Sequence, residues 1–178
     1  TVCNQIITDR RKWAIAIGVA EIELIPTLVE RIRGEVEPVM VDAADAPVKE
    51  VILTGKDADL TKIPAMWTSE KDPSPYIASG MAVIKDPETG IRNVSIHRQQ
   101  IQAPDQTGFL ICPRHALRIY EMYQKRKEPM PAAMVIGAHP AIYYASAFTS
   151  AYGLDEFKIA GSLLGDPIRL VKCETIDI

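Results

Sequence analysis

The sequence predicts an α+β protein, in which a short helix–strand segment precedes a mostly antiparallel sheet with helices packed on it. Three observations support this fold class. Residues 9–33 carry apolar side chains at helical spacing, two β-branched runs flank the turn sequence DPETG, and strand-like and helix-like segments then alternate. Because 47% of the 178 residues are hydrophobic and 24% are charged, the chain can bury one sizeable core.

The first predicted element is helical. Asp9 can cap a helix over residues 9–33, and Gly34 is a natural stop. Gly18 and Pro26 interrupt the apolar pattern, so the segment forms either one helix or two helices joined near residue 20. The runs VEPVMVD and VKEVILTG that follow are predicted to be two strands.

A long irregular stretch rich in Asp, Ser and Pro, residues 56–76, separates the two halves of the chain. Such composition is typical of a domain boundary or a crossover. We therefore assign residues 1–70 to part of an N-terminal α/β domain and residues 71–178 to a second domain.

The second half reads first as a hairpin, because the long strands 76–86 and 91–102 flank a tight turn. Pro113 suits the first position of a helix over residues 113–127. The remaining segments are predicted as strands 107–112, 131–140 and 168–176, a short helix 139–148, and a helix or loop 154–165.

Charge and composition exclude several classes of function. A net charge of −3 argues against a nucleic-acid partner, and no apolar run is long enough to cross a membrane. Cys3, Cys112 and Cys173 lack disulfide or metal spacing, which indicates free thiols and a cytoplasmic protein. Without an initiator Met, we expect a fragment, a processed product or one half of a split polypeptide.

The strand NVSIHRQQ, residues 93–100, is unusually polar. Alternation places Asn93, Ser95 and His97 on one face and Arg98 with its apolar neighbours on the other. Two interpretations stay open: an edge strand with a solvated face, or a strand that borders a ligand site. In the second case Arg98 would be a desolvated guanidinium suited to a carboxylate or a phosphate.

Two further segments could carry chemistry. His115 lies in the first turn of its predicted helix, behind Arg114, where the helix N-terminus favours anions. Asp155 and Glu156 open another helix, as a cap or as surface carboxylates, and nothing local says which would matter. A site of Asn, Glu and one His would suit Mn²⁺ or Mg²⁺ better than Zn²⁺. No Walker loop, dinucleotide fingerprint, nucleophile elbow or HExxH motif occurs.

Several strings in order carry a family resemblance: VCNQIITDRRKWAIAIG, APVKEVILTGKDADLTKIP, KDPETGIRNVSIHRQQ, TGFLICPRHALRIYEMY, IGAHPAIYYASAF and LDEFKIAGSLLGDPIRLVKCETIDI. Through them the chain resembles the UbiD family of prenylated-flavin-dependent decarboxylases over essentially its whole length. The resemblance implies that residues 71–178 form a flavin-binding split β-barrel that is incomplete at its C-terminal end.

The resemblance also implies a site for prenylated FMN. Asn93, His115 and Glu156 match the family's ligands for a divalent Mn²⁺ or Mg²⁺ that bridges the protein to the flavin phosphate. The strand Val94, Ser95, Ile96, His97 and Arg98 matches the strand along the cofactor, and Arg114 matches a flavin contact. Ala145, Ser146 and Phe148 match the family's site for a monovalent K⁺. Glu156 would bind both this ion and the divalent one.

By the same resemblance, Arg98 is the catalytic residue that contacts the substrate carboxylate. The implied reaction is reversible decarboxylation of an aromatic or α,β-unsaturated acid, releasing CO₂, and the HRQQ pattern favours hydroxylated aromatic acids. A flavin prenyltransferase would supply the cofactor. The proton-donating acid and the oligomerisation domain would lie beyond Ile178, so we expect a second polypeptide or a longer chain, homo-oligomeric when complete, to be needed for turnover.

Two other functions compete with this one. The chain could be a non-catalytic flavin- or phosphate-binding module, or a subunit that works only with a larger partner. It could also be a flavin reductase, because split barrels bind ordinary FMN as well.

Overall fold

A computed structural model describes residues 9–178. Cys3 and the first residues of the string VCNQIITDRR lie outside the described residues. The helices are α1 (Arg10–Ile17), α2 (Leu24–Arg31), α3 (His115–Arg126), α4 (Pro140–Ala147) and α5 (Glu156–Leu164). The strands are β1 (Val39–Met40), β2 (Tyr76–Ile77), β3 (Met81–Lys85), β4 (Arg92–Ile96), β5 (Gln99–Ala103), β6 (Gln106–Phe109), β7 (Ala133–Val135) and β8 (Arg169–Leu170).

The N-terminal helical segment is divided in two. Asp9 caps α1 by accepting from the Lys12 N–H, as predicted. The helix ends at Gly18, whose φ of 75° lies in the left-handed region that favours glycine. The two-helix alternative is therefore confirmed. Both helices pack on the second half of the chain, where the Trp13 and Tyr144 rings meet edge to face.

The predicted strand over VKEVILTG, residues 48–55, is wrong. Residues 43–62 instead form short 3₁₀ turns at Ala43–Asp45, Pro47–Lys49, Gly55–Asp57 and Leu60–Lys62. Val48, Val51 and Leu53 are exposed. β-Branched residues favour strands only where a neighbouring strand pairs with them, and no pairing of this run occurs among the described residues.

The hairpin is confirmed. Strand β3 lies between β4 and β7 in an antiparallel sheet, and Val83 pairs with Val94. The buried carboxylate of Asp86 holds the turn by accepting from the N–H groups of Glu88 and Thr89. This turn fixes the register that places Asn93 opposite Ile84.

The predicted single strand over residues 91–102 is wrong, because the chain changes sheets at residues 97–98. Strand β4 belongs to the first sheet, whereas β5 pairs with β2 and β6 in a second antiparallel sheet. The long strand 76–86 divides in the same way into β2 and β3. At the corner, the His97 N–H donates to the Gly80 carbonyl (3.0 Å).

The helices complete the core. Strands β3 and β4 bury Met81, Val83 and Val94 against α4 and α5, whose Ala145, Ala160 and Leu163 are fully buried. The predicted short helix over residues 139–148 is confirmed as α4, with His139 as its cap, and the segment 154–165 contains helix α5. The closing strand is only two residues long and pairs in parallel with β1.

The described part of the chain is thus a mixed α/β fold with antiparallel sheets and packed helices. Its strands form three separate sheets, so the split barrel stays a prediction, as does the domain boundary near residue 70. No described helix combines the length and apolarity needed to cross a membrane. Cys112 and Cys173 are free thiols.

Candidate functional site

A cavity of about 550 Å³ opens beside β4. Four parts of the chain line it: residues 93–97, Cys112 with residues 114–116 at the start of α3, residues 146–150 at the end of α4, and Glu156 at the start of α5. Side chains that are far apart in sequence therefore meet at one place. Cavities of this size are typical of cofactor sites.

Glu156 is the buried carboxylate of this cavity, with 4% of its surface exposed. Its Oε2 accepts from the Val94 N–H (2.7 Å) and its Oε1 accepts from Asn93 Nδ2 (3.0 Å). Burial raises the pKa of Glu156 to about 7, and these hydrogen bonds offset only part of that effect. A cation bound beside this carboxyl group would stabilise its charged form and lower its pKa again.

The start of α5 is fixed by the residue before Glu156. Asp155 caps the helix by accepting from the Phe157 N–H (2.9 Å). The same carboxylate forms an ion pair with Arg92 of β4 (2.8 Å). Asp155 is therefore the cap that the sequence allowed, whereas Glu156 faces the cavity.

The polar face of β4 forms a hydrogen-bonded row. Ser95 Oγ lies 3.3 Å from Asn93 Oδ1 and 2.9 Å from His97 Nε2, which confirms the predicted alternation. His97 Nδ1 lies 3.0 Å from the Leu110 carbonyl, which can only accept, so Nδ1 donates to this oxygen. Strand β4 is an edge strand, but this face is not solvated, because Asn93 and His97 are buried.

His115 is the first residue of α3, so the predicted start at Pro113 is wrong by two residues. The backbone of Arg114 is extended and serves as the cap position. The ring of His115 meets the ring of Tyr152 edge to face, with centroids 5.4 Å apart. Since the helix begins at His115, its side chain projects from the end of α3 into the cavity lining.

Asn93, His115 and Glu156 together supply an amide oxygen, an imidazole nitrogen and a carboxylate to one cavity. That donor set fits a hard divalent ion such as Mn²⁺ or Mg²⁺. The described residues contain no cluster of three His, Cys, Asp or Glu side chains that could hold a metal. Any three-ligand set in this cavity would therefore have to include a side chain of another type, such as the Asn93 amide.

The residues predicted for a monovalent cation are only partly brought together. Ser146, Phe148 and Glu156 line the cavity. Ala145 is fully buried behind them, and its carbonyl accepts from the Phe148 N–H (3.1 Å). The Ser146 hydroxyl donates to the Tyr143 carbonyl (2.9 Å), which leaves its oxygen lone pairs free to accept or to coordinate.

The two arginines occupy different places. Arg114 lines the cavity and donates to Thr149 Oγ1 (3.3 Å). Arg98 lies at the corner between β4 and β5, is exposed, and holds its guanidinium 5.4 Å from the centroid of the Tyr76 ring. Arg98 therefore does not line this cavity.

Several lining residues were not predicted from the sequence: Cys112, Thr149 and Ser150. Ser150 Oγ lies 3.5 Å from Glu156 Oε1. A signal for them existed, since Cys112 lies within the string TGFLICPRHAL and Thr149 and Ser150 directly follow PAIYYASAF, and both strings carry predicted residues.

A second cluster behind His115 was also missed. The Tyr152 hydroxyl donates to Asp86 Oδ2, and the Arg118 guanidinium lies 3.8 Å above the centroid of the Tyr152 ring. Burial, followed by the hydrogen bond to Asp86, raises the pKa of Tyr152 to about 12. Burial also disfavours charge on Asp86, but the hydrogen bonds from Tyr152 and from the turn outweigh it and lower the pKa of Asp86.

Fold and site define a mixed α/β protein whose strands and helix ends line a cofactor-sized cavity that contains an amide, an imidazole and a carboxylate. The family model described as "3-octaprenyl-4-hydroxybenzoate carboxy-lyase Rift-related domain" matches residues 39–178. The chain belongs to the UbiD family.

Two enzymes show the sequence similarity. Anhydromevalonate phosphate decarboxylase of Methanothermobacter thermautotrophicus is 29% identical over 177 residues, which cover 99% of this chain and 40% of the relative. Gallate decarboxylase of Lactiplantibacillus plantarum is 32% identical over 158 residues, or 84% of this chain and 32% of the relative. The chain thus spans less than half the length of these relatives.

A solved structure shares the fold. An evolved dimeric form of the UbiD-class enzyme HmfF from Pelotomaculum thermopropionicum, in complex with prFMN, superposes with a TM-score of 0.88 at 39% identity. The match covers 95% of this chain and 40% of HmfF. The family resemblance predicted from the sequence is therefore confirmed.

Proposed function

We propose that this chain carries the metal and flavin site of a prenylated-FMN-dependent decarboxylase. The observation that carries the proposal is the convergence of Asn93, His115 and Glu156, from three separate elements, on one cavity of about 550 Å³. The HmfF structure contains prFMN, and the two similar enzymes are decarboxylases. Both observations support the same function. In this proposal residues 71–178 form the split β-barrel.

The divalent ion, Mn²⁺ or Mg²⁺, would be held by Asn93 Oδ1, a ring nitrogen of His115 and the Glu156 carboxylate. Its role would be to neutralise the flavin phosphate, which is costly to desolvate without cations. The Arg114 guanidinium at the same mouth would add a second positive charge. Ser146, Phe148 and Glu156, with the Ala145 carbonyl after a local rearrangement, would hold K⁺.

The flavin would lie along β4, beside Val94, Ser95, Ile96 and His97. Prenylated FMN supplies the electron sink for loss of CO₂. The protein's own contribution there is positional. Ser95 Oγ, held between Asn93 Oδ1 and His97 Nε2, would present its lone pairs to a donor group of the cofactor.

Arg98 would bind the substrate carboxylate of an aromatic, preferably hydroxylated, or unsaturated acid. Since Arg98 now stacks on Tyr76 outside the cavity, this role requires the guanidinium to turn at the corner between β4 and β5. We propose that turnover also needs the parts of the relatives that this chain does not span. Those parts would supply the proton donor and the homo-oligomeric contacts.

That requirement favours a second candidate function, a flavin-binding portion that is inactive without a further segment or subunit. The exposed position of Arg98 supports it directly. The metal donor set argues against a plain flavin reductase, because such an enzyme needs no metal at the phosphate.

The test measures binding and turnover separately. Native mass spectrometry with Mn²⁺ and prenylated FMN should show both bound to wild type, with occupancy of both reduced in Glu156→Gln. In the complete assembly, Arg98→Ala should retain cofactor and lose decarboxylation, whereas the matched Arg126→Ala, on the exposed end of α3, should retain both. Unchanged occupancy in Glu156→Gln would refute the metal site, and unchanged turnover in Arg98→Ala would refute the role of Arg98.

A further inference from the structure

Tyr152 is connected in the structure to all three proposed metal ligands. Its hydroxyl donates to Asp86, which holds the turn leading into the strand of Asn93. Its ring meets His115 edge to face on α3. Tyr152 itself belongs to the loop that leads into Glu156 at the start of α5.

The contacts of Tyr152 restrict the residue from several sides. Arg118, one turn after His115 on α3, covers the Tyr152 ring at 3.8 Å. The Asp86 carboxylate is 4% exposed and is anchored by two backbone N–H groups of its own turn. A ring held at its hydroxyl end and on its face leaves the imidazole of His115 little freedom to turn.

We propose that Tyr152, anchored by Asp86, is a positioning residue that orients His115 for the divalent metal. The inference rests on the proposed function, because it assumes that His115 is a ligand. Tyr152 does not line the cavity and would act on His115 through the edge-to-face contact between their rings. Asp86 and Tyr152 thus couple the hairpin turn to the start of α3.

The experiment titrates the chain with Mn²⁺ and follows the electron paramagnetic resonance signal of the free ion. Tyr152→Phe keeps the ring and removes only the hydroxyl. We expect it to weaken Mn²⁺ binding by about tenfold. Tyr123→Phe is the matched control, because Tyr123 also bonds the hairpin, at the Lys85 carbonyl (3.4 Å), without touching His115. It should change the affinity less than about twofold.

A double-mutant cycle with His115→Ala separates positioning from general stability. If Tyr152 acts through His115, Tyr152→Phe has no further effect once the imidazole is gone. An equal weakening in both backgrounds would overturn the inference in favour of a merely structural role. Tyr152→Phe binding Mn²⁺ like wild type, while His115→Ala binds weakly, would overturn it alone.

If His115→Ala itself leaves Mn²⁺ binding unchanged, the proposed metal site is wrong and this inference falls with it. Circular dichroism melting checks that each variant folds. Should Tyr152→Phe fail to fold, Asp86→Asn tests the same link, since an amide oxygen still accepts from Tyr152 but without charge. It should weaken Mn²⁺ binding by about threefold, and that effect too should vanish with His115→Ala.

Discussion

Glu156 sets a pH dependence on the stability of the metal-free chain. Its pKa is about 7 in the folded protein against 4.5 for the ordinary group. Below pH 4.5 both states hold the proton. Between pH 4.5 and 7 the unfolded chain releases it first, so the free energy of unfolding falls as pH rises. At about 1.4 kcal/mol per pH unit the loss totals about 3 kcal/mol.

Urea denaturation at steps between pH 4 and 8 tests this value by comparing wild type with Glu156→Gln. The amide cannot ionise, so wild type should lose about 3 kcal/mol relative to the variant between pH 4.5 and 7, and nothing further above pH 7. Glu121→Gln, an exposed carboxylate on α3, controls for the loss of one charge. A wild-type-minus-variant difference that stays constant, or that grows with pH, would refute the reasoning.

Three further changes test the supports of the site. Asp155→Ala removes both a helix cap and the partner of Arg92, so it should lower the free energy of unfolding by about 2 kcal/mol in urea titrations; an unchanged midpoint would contradict that role. Gly161→Ala should destabilise the chain by about 1 kcal/mol despite the better helix propensity, because the new methyl group would lie 3.1 Å from the Val36 carbonyl; a rise in melting temperature would contradict this. Met81→Ala should cost about 3 kcal/mol, since Met81 is fully buried, and a loss below about 1 kcal/mol would mean that the site collapses around the gap.

The polar strand shows what pattern alone could predict. Period-two alternation correctly placed Asn93, Ser95 and His97 on one face. The same pattern could not locate the corner at residues 97–98, because nothing in HRQQ breaks a strand locally. The change of sheet depends on which neighbours pair with each half, and such pairing is decided by the tertiary fold.

The run VKEVILTG shows that a local pattern can also predict a strand that the fold does not form. Its β-branched residues indicate a strand, yet Val48, Val51 and Leu53 are exposed on an irregular segment. Intrinsic propensity cannot supply a partner strand. Tyr152 was missed for a related reason. Its proposed role depends on contacts with Asp86 and Arg118, which are distant in sequence and belong to no motif.

The parallel pairing of β1 with β8 has a consequence for folding kinetics. Val39 lies opposite Arg169, so the pairing closes a loop over residues 40–168. Chain entropy opposes such a closure, whereas the β3–β4 hairpin needs only a six-residue connection, residues 86–91. We expect the hairpin to form early and the β1–β8 pair to form last. The proposed metal site would then assemble before strands β1 and β8 pair.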